Sequence, residues 1–267
     1  KQFPDRLFDV GIAEEHAVTF SAGLALGGLK PILAVYSSFL QRAYDQVLED
    51  VCLQNLPVVF AVDRAGLVGS DGETHQGIFD LSYLSSMPNM HIMAPKNKWE
   101  LSDMLKFAVN FDGPVAIRYP RGEAYAGLEN FRAPIEMGKA EPIYEEKDIL
   151  LLAVGSMVKE AEEVRRILKD RGLHCSLTNA RFVKPVDTDY IIAAAQTHPL
   201  IVTMEENVAS GGFGEKVREC IDNARAEARV LQIAIPDEFV THGKPEILMQ
   251  QIGLDAQSVA DRILREI

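Results

Sequence analysis

Short runs of β-branched and aliphatic residues alternate with segments of helical period along most of this chain, and nothing else in it restricts the fold so strongly. In the first part the strand candidates are Ile32–Tyr36, 58–63, 91–94 and 115–119, and helical patterns occupy 12–26, 39–53 and 98–109. Strands separated by helices do not pair as hairpins. They assemble into a mostly parallel sheet that helices cover. The third helical pattern has a clear start: Asn97 can cap it, Glu100 follows three residues later, and Leu101, Met104, Leu105 and Ala108 share one face.

Residues 121–147 break the rhythm with Gly, Pro and charge, and read as a linker plus an irregular strand. Beyond them 149–154 is a continuous apolar strand, and Ser156 is expected to cap a helix that buries Val158, Ala161, Val164 and Leu168 before Gly172 ends it. Strands at 200–204 and 230–235 alternate with helices to the end. The expected fold is α/β in two domains, 1–134 and 135–267, each a mostly parallel sheet with helices on both faces and no internal repeat. The chain opens at Lys1 without a Met, and 8–10 reads as the end of a strand, so a fragment lacking its first strand is expected.

A length of 267 residues suits two such domains, and 47% hydrophobic with 25% charged residues is the balance of a soluble globular protein. A net charge of −12 argues against a broad nucleic-acid surface, although a few converging arginines can still hold a phosphorylated metabolite. Cys52, Cys175 and Cys220 lie far apart in apolar segments without metal-ligand spacing, which points to buried free thiols. With no apolar run long enough for a bilayer and no basic-plus-apolar leader, the expectation is a cytoplasmic protein without membrane or nucleic-acid partners.

Four segments carry the candidate chemistry. In GIAEEHAVTFSAGLA, Glu14 opens a helix whose same face continues through Val18, Ser21 and Ala25. It is either a buried acid-base carboxylate or a first-turn acid complementing the helix dipole; Glu15 points elsewhere. In YSSFLQRAYDQ, Tyr36 ends a strand while Phe39 and Arg42 open the next helix, either in the crevice where open α/β sheets bind ligands or simply as a core Phe and a surface ion-paired Arg, the reading the segment alone favours. DRAGLVGSDGETHQGIFD is a long Gly-punctuated loop carrying Arg64, Asp71, His75 and Asp80, with His75 a candidate proton shuttle or merely a solvated side chain. RYPRG sends Arg118 to the face of Ala116 and puts Arg121 beyond the strand end, the better place for an anion ligand. Two look-alikes are set aside. Asp71-Gly72 ahead of Asn97 mimics a metal-diphosphate signature, but Ser70 replaces its first Gly and no apolar strand leads in. ASGGFG at 209–214 reads as a tight turn, because Glu205 and Glu206 lie just upstream.

Taken in order, FDVGIAEEHAVTF, YSSFLQRAYDQ, DRAGLVGSDGETHQGIFDLSYL and RYPRG resemble the pyrimidine-binding domain of the 1-deoxy-D-xylulose-5-phosphate synthases, a transketolase-like family dependent on thiamine diphosphate. NARFVKPVD, EENVASGGFG and PDEFVTHG resemble that family's carboxy-terminal domain. The resemblance covers nearly the whole chain. It implies that Glu14 meets the ring nitrogen of the cofactor's aminopyrimidine and that Phe39 stacks on that ring. It also implies that Tyr36, Arg42 and Arg121 bind the acceptor phosphate, and that Arg64, Asp71 and His75 contact the reacting groups, with Glu14 and His75 the catalytic pair. The reaction it implies joins pyruvate to glyceraldehyde 3-phosphate with loss of carbon dioxide. The cofactors it implies are thiamine diphosphate and Mg2+, with the GDG…N ligands of the metal in an absent amino-terminal half. A homodimer, and inactivity of this part alone, are expected in consequence. One departure stands out: Glu15 occupies a position where the family is expected to have Gln. A transketolase-like subunit using a ketose phosphate donor, and a non-catalytic assembly module, are the competing readings.

Overall fold

In the computed structural model, which describes residues 2–267, the order of elements is α1 (Glu14–Leu26), β1 (Ile32–Tyr36), α2 (Ser37–Leu40), α3 (Tyr44–Gln46), β2 (Val59–Asp63), α4 (Asp80–Ser85), β3 (His91–Met93), α5 (Lys98–Asn110) and β4 (Val115–Arg118). There follow β5 (Glu141–Tyr144), β6 (Ile149–Ala153), α6 (Met157–Lys169), β7 (Cys175–Asn179), β8 (Phe182–Lys184), α7 (Thr188–Ala195), β9 (Leu200–Val208), α8 (Phe213–Ala224), β10 (Arg229–Ile235), α9 (Pro245–Gln251) and α10 (Ala256–Glu266). The strands form two five-stranded sheets, ordered β1-β2-β4-β3-β8 and β10-β9-β6-β7-β5. Within each, four strands are parallel and the fifth, β8 or β5, is antiparallel.

Both faces of the first sheet are covered, which is why its strands read as continuous apolar runs. Phe60 and Val62 face Val18, Ala22 and Leu40, while Val59, Val115 and Ile117 face Met104 and Ala108 of α5. In the second sheet Leu150 and Leu152 join the first of those clusters, so one core runs through both units, and Ile149, Leu151 and Ala153 pack with α6 and α10 on the far side. The side chain of Asn97 caps α5 by accepting from the Glu100 amide at 2.9 Å, as the sequence predicts. Each end of a parallel strand therefore lies where a helix begins or a loop turns back, and the carboxyl ends of β1, β2 and β4 are neighbours.

Several expectations are corrected. Residues 8–10 are not a strand; Phe8 is exposed, and Lys1 lies outside the described residues. The expected helix 39–53 is broken into α2, a 3-10 turn at Gln41–Ala43, α3 and a π-helical stretch at Val47–Cys52. Ser156 does not cap α6 through its side chain, because its Oγ donates to Glu206 Oε2 at 2.7 Å instead. Cys52 and Cys175 are buried but Cys220 is only partly so. Strands β7 and β8 have no counterpart in the periodicity reading, and β8 leaves the second half of the chain to pair with β3 in the first sheet.

Candidate functional site

Glu14 starts α1 without a side-chain cap behind it, on a helix that also buries Ala17, Val18 and Ser21, and only 8% of the residue is exposed. Glu15, one residue on, faces solvent. The small side chains of that helix face leave room for a charged group, and the charge is compensated from the next element: Arg42 Nη1 donates to Glu14 Oε1 at 3.1 Å. Oε2 of Glu14 has no protein donor among the described residues.

From Arg42 the contacts run unbroken. Its guanidinium lies 4.8 Å from the Phe39 ring centroid, a cation–π arrangement. Phe39 packs at 5.4 Å on Tyr36 and edge-to-face at 5.2 Å on His75. Arg64 stands 3.9 Å over the Tyr36 ring. Arg64 Nη1 and Arg121 Nη1 both donate to the same oxygen of Asp71, at 3.0 and 2.9 Å. All eight residues singled out from sequence are thus brought together: Glu14, Tyr36, Phe39, Arg42, Arg64, Asp71, His75 and Arg121. Three guanidiniums, those of Arg42, Arg64 and Arg121, gather here, and charge-assisted donors of that kind suit an anionic ligand.

The fold explains the convergence. Tyr36 is the last residue of β1, paired with Asp63 at the end of β2; Arg64 follows at once, and Arg121 lies just past β4. The Arg64 backbone has φ +56°, in the left-handed region that a non-glycine residue adopts at a cost of about 1 kcal/mol. It is pinned on both sides: its own amide donates to Asp63 Oδ1 at 2.7 Å, and the Ala65 amide to the Tyr119 carbonyl at 3.0 Å. The loop it opens is closed by a backbone bridge between Gly66 and Gly77. Thr74 Oγ1 engages His75 Nδ1 at 2.9 Å. Beside Arg64 and Arg121 a cleft of about 560 Å3 extends between the two units and adds Lys98 and Lys159 to its lining.

Arg118 and Asp80 have another part. They form a buried pair, Nε to Oδ2 at 2.8 Å and Nη2 to Oδ1 at 3.1 Å, and Arg118 also donates to the Gly77 and Glu206 carbonyls. ASGGFG is a turn, as expected, and its helix start is filled from within: Glu205 accepts from the Phe213 and Gly214 amides at 2.7 and 2.8 Å. Burial raises the Glu205 carboxyl to about 7. Glu206 is the residue that sequence reasoning missed. Along the chain it reads only as an acid upstream of that turn, yet two adjacent acids continuing an apolar strand are a signal of buried, partnered charge. Among the described residues no group of three or more His, Cys, Asp or Glu side chains is placed to hold a metal, and no helix is long and apolar enough to cross a membrane.

Comparison with known proteins gives this geometry its class. Residues 1–126 match the family described as transketolase, pyrimidine binding domain, and 138–259 the one described as transketolase, C-terminal domain. The chain is thus built from two transketolase-type domains. It is 56% identical over 265 residues to the 1-deoxy-D-xylulose-5-phosphate synthase of Lachnoclostridium phytofermentans, and 51% identical to that of Caldanaerobacter subterraneus subsp. tengcongensis. In each case the match takes in 99% of this chain but only 42% and 43% of the relative. The solved structure of a split-gene transketolase, an inactive β4 tetramer, superposes with a TM-score of 0.90 at 27% identity over 98% of this chain and 84% of the other. Transketolase from Campylobacter jejuni, at 21% identity, shares the fold with a TM-score of 0.81 over 97% of this chain and 39% of that one. The chain therefore carries both transketolase-type domains, is similar over nearly its whole length to 1-deoxy-D-xylulose-5-phosphate synthases, and spans less than half the length of those curated relatives.

Proposed function

We propose that this chain is the carboxy-terminal part, divided near residue 135, of an enzyme that condenses pyruvate with glyceraldehyde 3-phosphate to 1-deoxy-D-xylulose 5-phosphate, releasing carbon dioxide. The single observation that carries the proposal is the unbroken run of contacts from Glu14 through Arg42, Phe39, Tyr36, Arg64 and Asp71 to Arg121. One end of it suits a flat heteroaromatic ring and the other an anion.

The residues fit thiamine diphosphate. Phe39 offers a half-buried aromatic face, and Glu14, linked to it through Arg42, keeps one carboxylate oxygen free of protein donors among the described residues. When bound, that cofactor supplies a carbon nucleophile and an electron sink for decarboxylation. Glu14 holds a proton at the pyrimidine ring nitrogen, and Phe39 fixes the ring plane. Arg121 and Tyr36 take the acceptor phosphate, the guanidinium as a charge-assisted donor and the phenol as a further hydrogen-bond donor, while Arg42, paired with Glu14 at the ring end, steadies that carboxylate. Arg64, Asp71 and His75 orient the donor carboxylate and the acceptor aldehyde, so their contribution is largely placement, which governs rate as well as affinity. The diphosphate and Mg2+ belong on the portion that the longer relatives possess and this chain does not span, in a cytoplasmic homodimer.

A second enzyme reading draws on the close superposition with the split-gene transketolase: a subunit that uses a ketose phosphate donor. The two differ in one product. The enzyme completed with its amino-terminal part and given pyruvate with glyceraldehyde 3-phosphate is expected to release carbon dioxide in step with the aldehyde consumed. No release, with turnover on a ketose phosphate, decides for the second reading. A role in assembly alone would predict neither, and the complete set of site residues argues against it.

A further inference from the structure

The loop 64–80 carries Arg64, Asp71 and His75, yet much of what holds it comes from the second unit. The Val208 amide donates to the Ile78 carbonyl at 2.9 Å, Gln76 Nε2 to the Thr241 carbonyl at 3.1 Å, and Asn207 Oδ1 accepts from the Leu81 amide at 3.2 Å. One side chain enters the loop itself. Glu206 Oε1 accepts from the Leu67 amide at 2.6 Å, and Oε2 accepts from Ser156 Oγ at 2.7 Å at the start of α6. The carboxyl group is buried, which raises its pKa above the ordinary range, and Arg118, itself paired with Asp80, donates to the Glu206 backbone carbonyl. Space around it is tight: Gly66 has φ +83°, and a Cβ there would collide with the Glu206 carboxyl group.

We propose that Glu206 is a positioning residue for this loop: its carboxylate, tied to Ser156, fixes the Leu67 amide and so sets where Arg64, Asp71 and His75 stand in the site. Leu67 follows Arg64 by three residues, inside the Gly66–Gly77 bridge, so a displacement there moves both ends of the loop. A buried charge-assisted hydrogen bond is among the stronger single contacts, and leaving its donor unpaired is costly. Glu205 provides an internal comparison. It is equally buried and adjacent in sequence, but it holds the start of α8 and does not touch the loop.

The test uses the complete enzyme with cofactor. In Glu206→Ala, amides of 64–80 are expected to exchange hydrogen roughly tenfold or more faster, in line with the loss of one such bond. The KM values for both substrates, the phosphorylated acceptor included, are expected to rise about tenfold while cofactor affinity changes less, because Arg64, Asp71 and His75 are on the loop and Glu14 and Phe39 are off it. Glu206→Gln, whose carbonyl can take the Leu67 amide while its NH2 meets Ser156, is expected to restore both. Glu205→Ala is expected to lower Tm without either effect. Unchanged loop exchange in Glu206→Ala, equal loosening in Glu205→Ala, or no rescue by Gln would each overturn the proposal. If Glu206→Ala is recovered only unfolded, Ser156→Ala, which frees the same carboxylate from its other partner, must loosen the loop to a smaller degree, and no change there overturns it too. The kinetic consequence rests on the proposed reaction, whereas exchange does not. Faster exchange with an unmoved acceptor KM therefore counts against that reaction assignment and leaves the strut in place.

Discussion

At the scale of single residues, Glu14 and Arg121 occupy the two ends of one contact chain and should fail in different ways. Glu14 is nearly buried, paired with Arg42, and set beside the aromatic face; Arg121 is largely exposed and shares Asp71 with Arg64. Such an exposed ion pair contributes only ~0–1 kcal/mol, so Arg121→Ala should barely alter Tm. In the complete enzyme it is expected to raise the acceptor KM by about tenfold or more and to leave the KM for pyruvate nearly unmoved, since a lost charge-assisted bond to phosphate is worth that much. Glu14→Ala should instead keep substrate binding and lose turnover by a factor on the order of 100 or more, the range of acid-base groups. Steady-state kinetics with each substrate varied separately distinguishes them. Equal damage to both KM values in Arg121→Ala would exclude a phosphate clamp.

Among the elements, the junction of β9 and α8 has a pH dependence of its own. Burial raises the Glu205 carboxyl to about 7, well above its value in an unfolded chain. Between the two values the folded state holds more protons than the unfolded one, so this group's contribution is fully present at low pH and is lost as pH rises toward 7. The size is on the order of 3 kcal/mol at most, from the conversion of pKa difference to free energy. Glu205→Gln should therefore be less stable relative to the parent at pH 5 than at pH 7.5. Tm values of the two proteins across that range decide it, and parallel curves would show that Glu205 titrates normally. Other elements were legible from periodicity because their patterns are local. Strand β1 has the bounds read from its ILAVY run, and α5 opens at its Asn97 cap. Strand β8 was not legible: three residues carry no period, and their partner β3 lies about 90 positions away.

For the whole molecule, the two units are joined as one body by chemistry that local pattern hides. Lys96 and Glu100 from the first half meet Glu141, Asn179 and Arg181 from the second in a network of buried residues. Together with β8 and the continuous apolar cluster, this network predicts that the chain unfolds in a single cooperative transition. On the proposed reaction this chain alone is expected to release no carbon dioxide from pyruvate and to bind thiamine diphosphate weakly, because among the described residues no group of three or more His, Cys, Asp or Glu side chains is placed to hold the metal. Adding the missing portion should restore both. Robust carboligation by the purified chain alone would refute the division of labour between the two parts.

The sequence by itself determined the α/β class and the parallel strands, because strand runs and helix caps are set by residues close together in the chain, whereas the eight candidate site residues are picked out only by the resemblance of their ordered motifs to a known family. Only the tertiary structure decided which carboxylates are struts. Glu206 lies 139 positions from the amide it holds, and Lys96 finds Glu141 across the boundary between the units. Buried charge is specified by whatever packs around it, and no reading along one strand can see that.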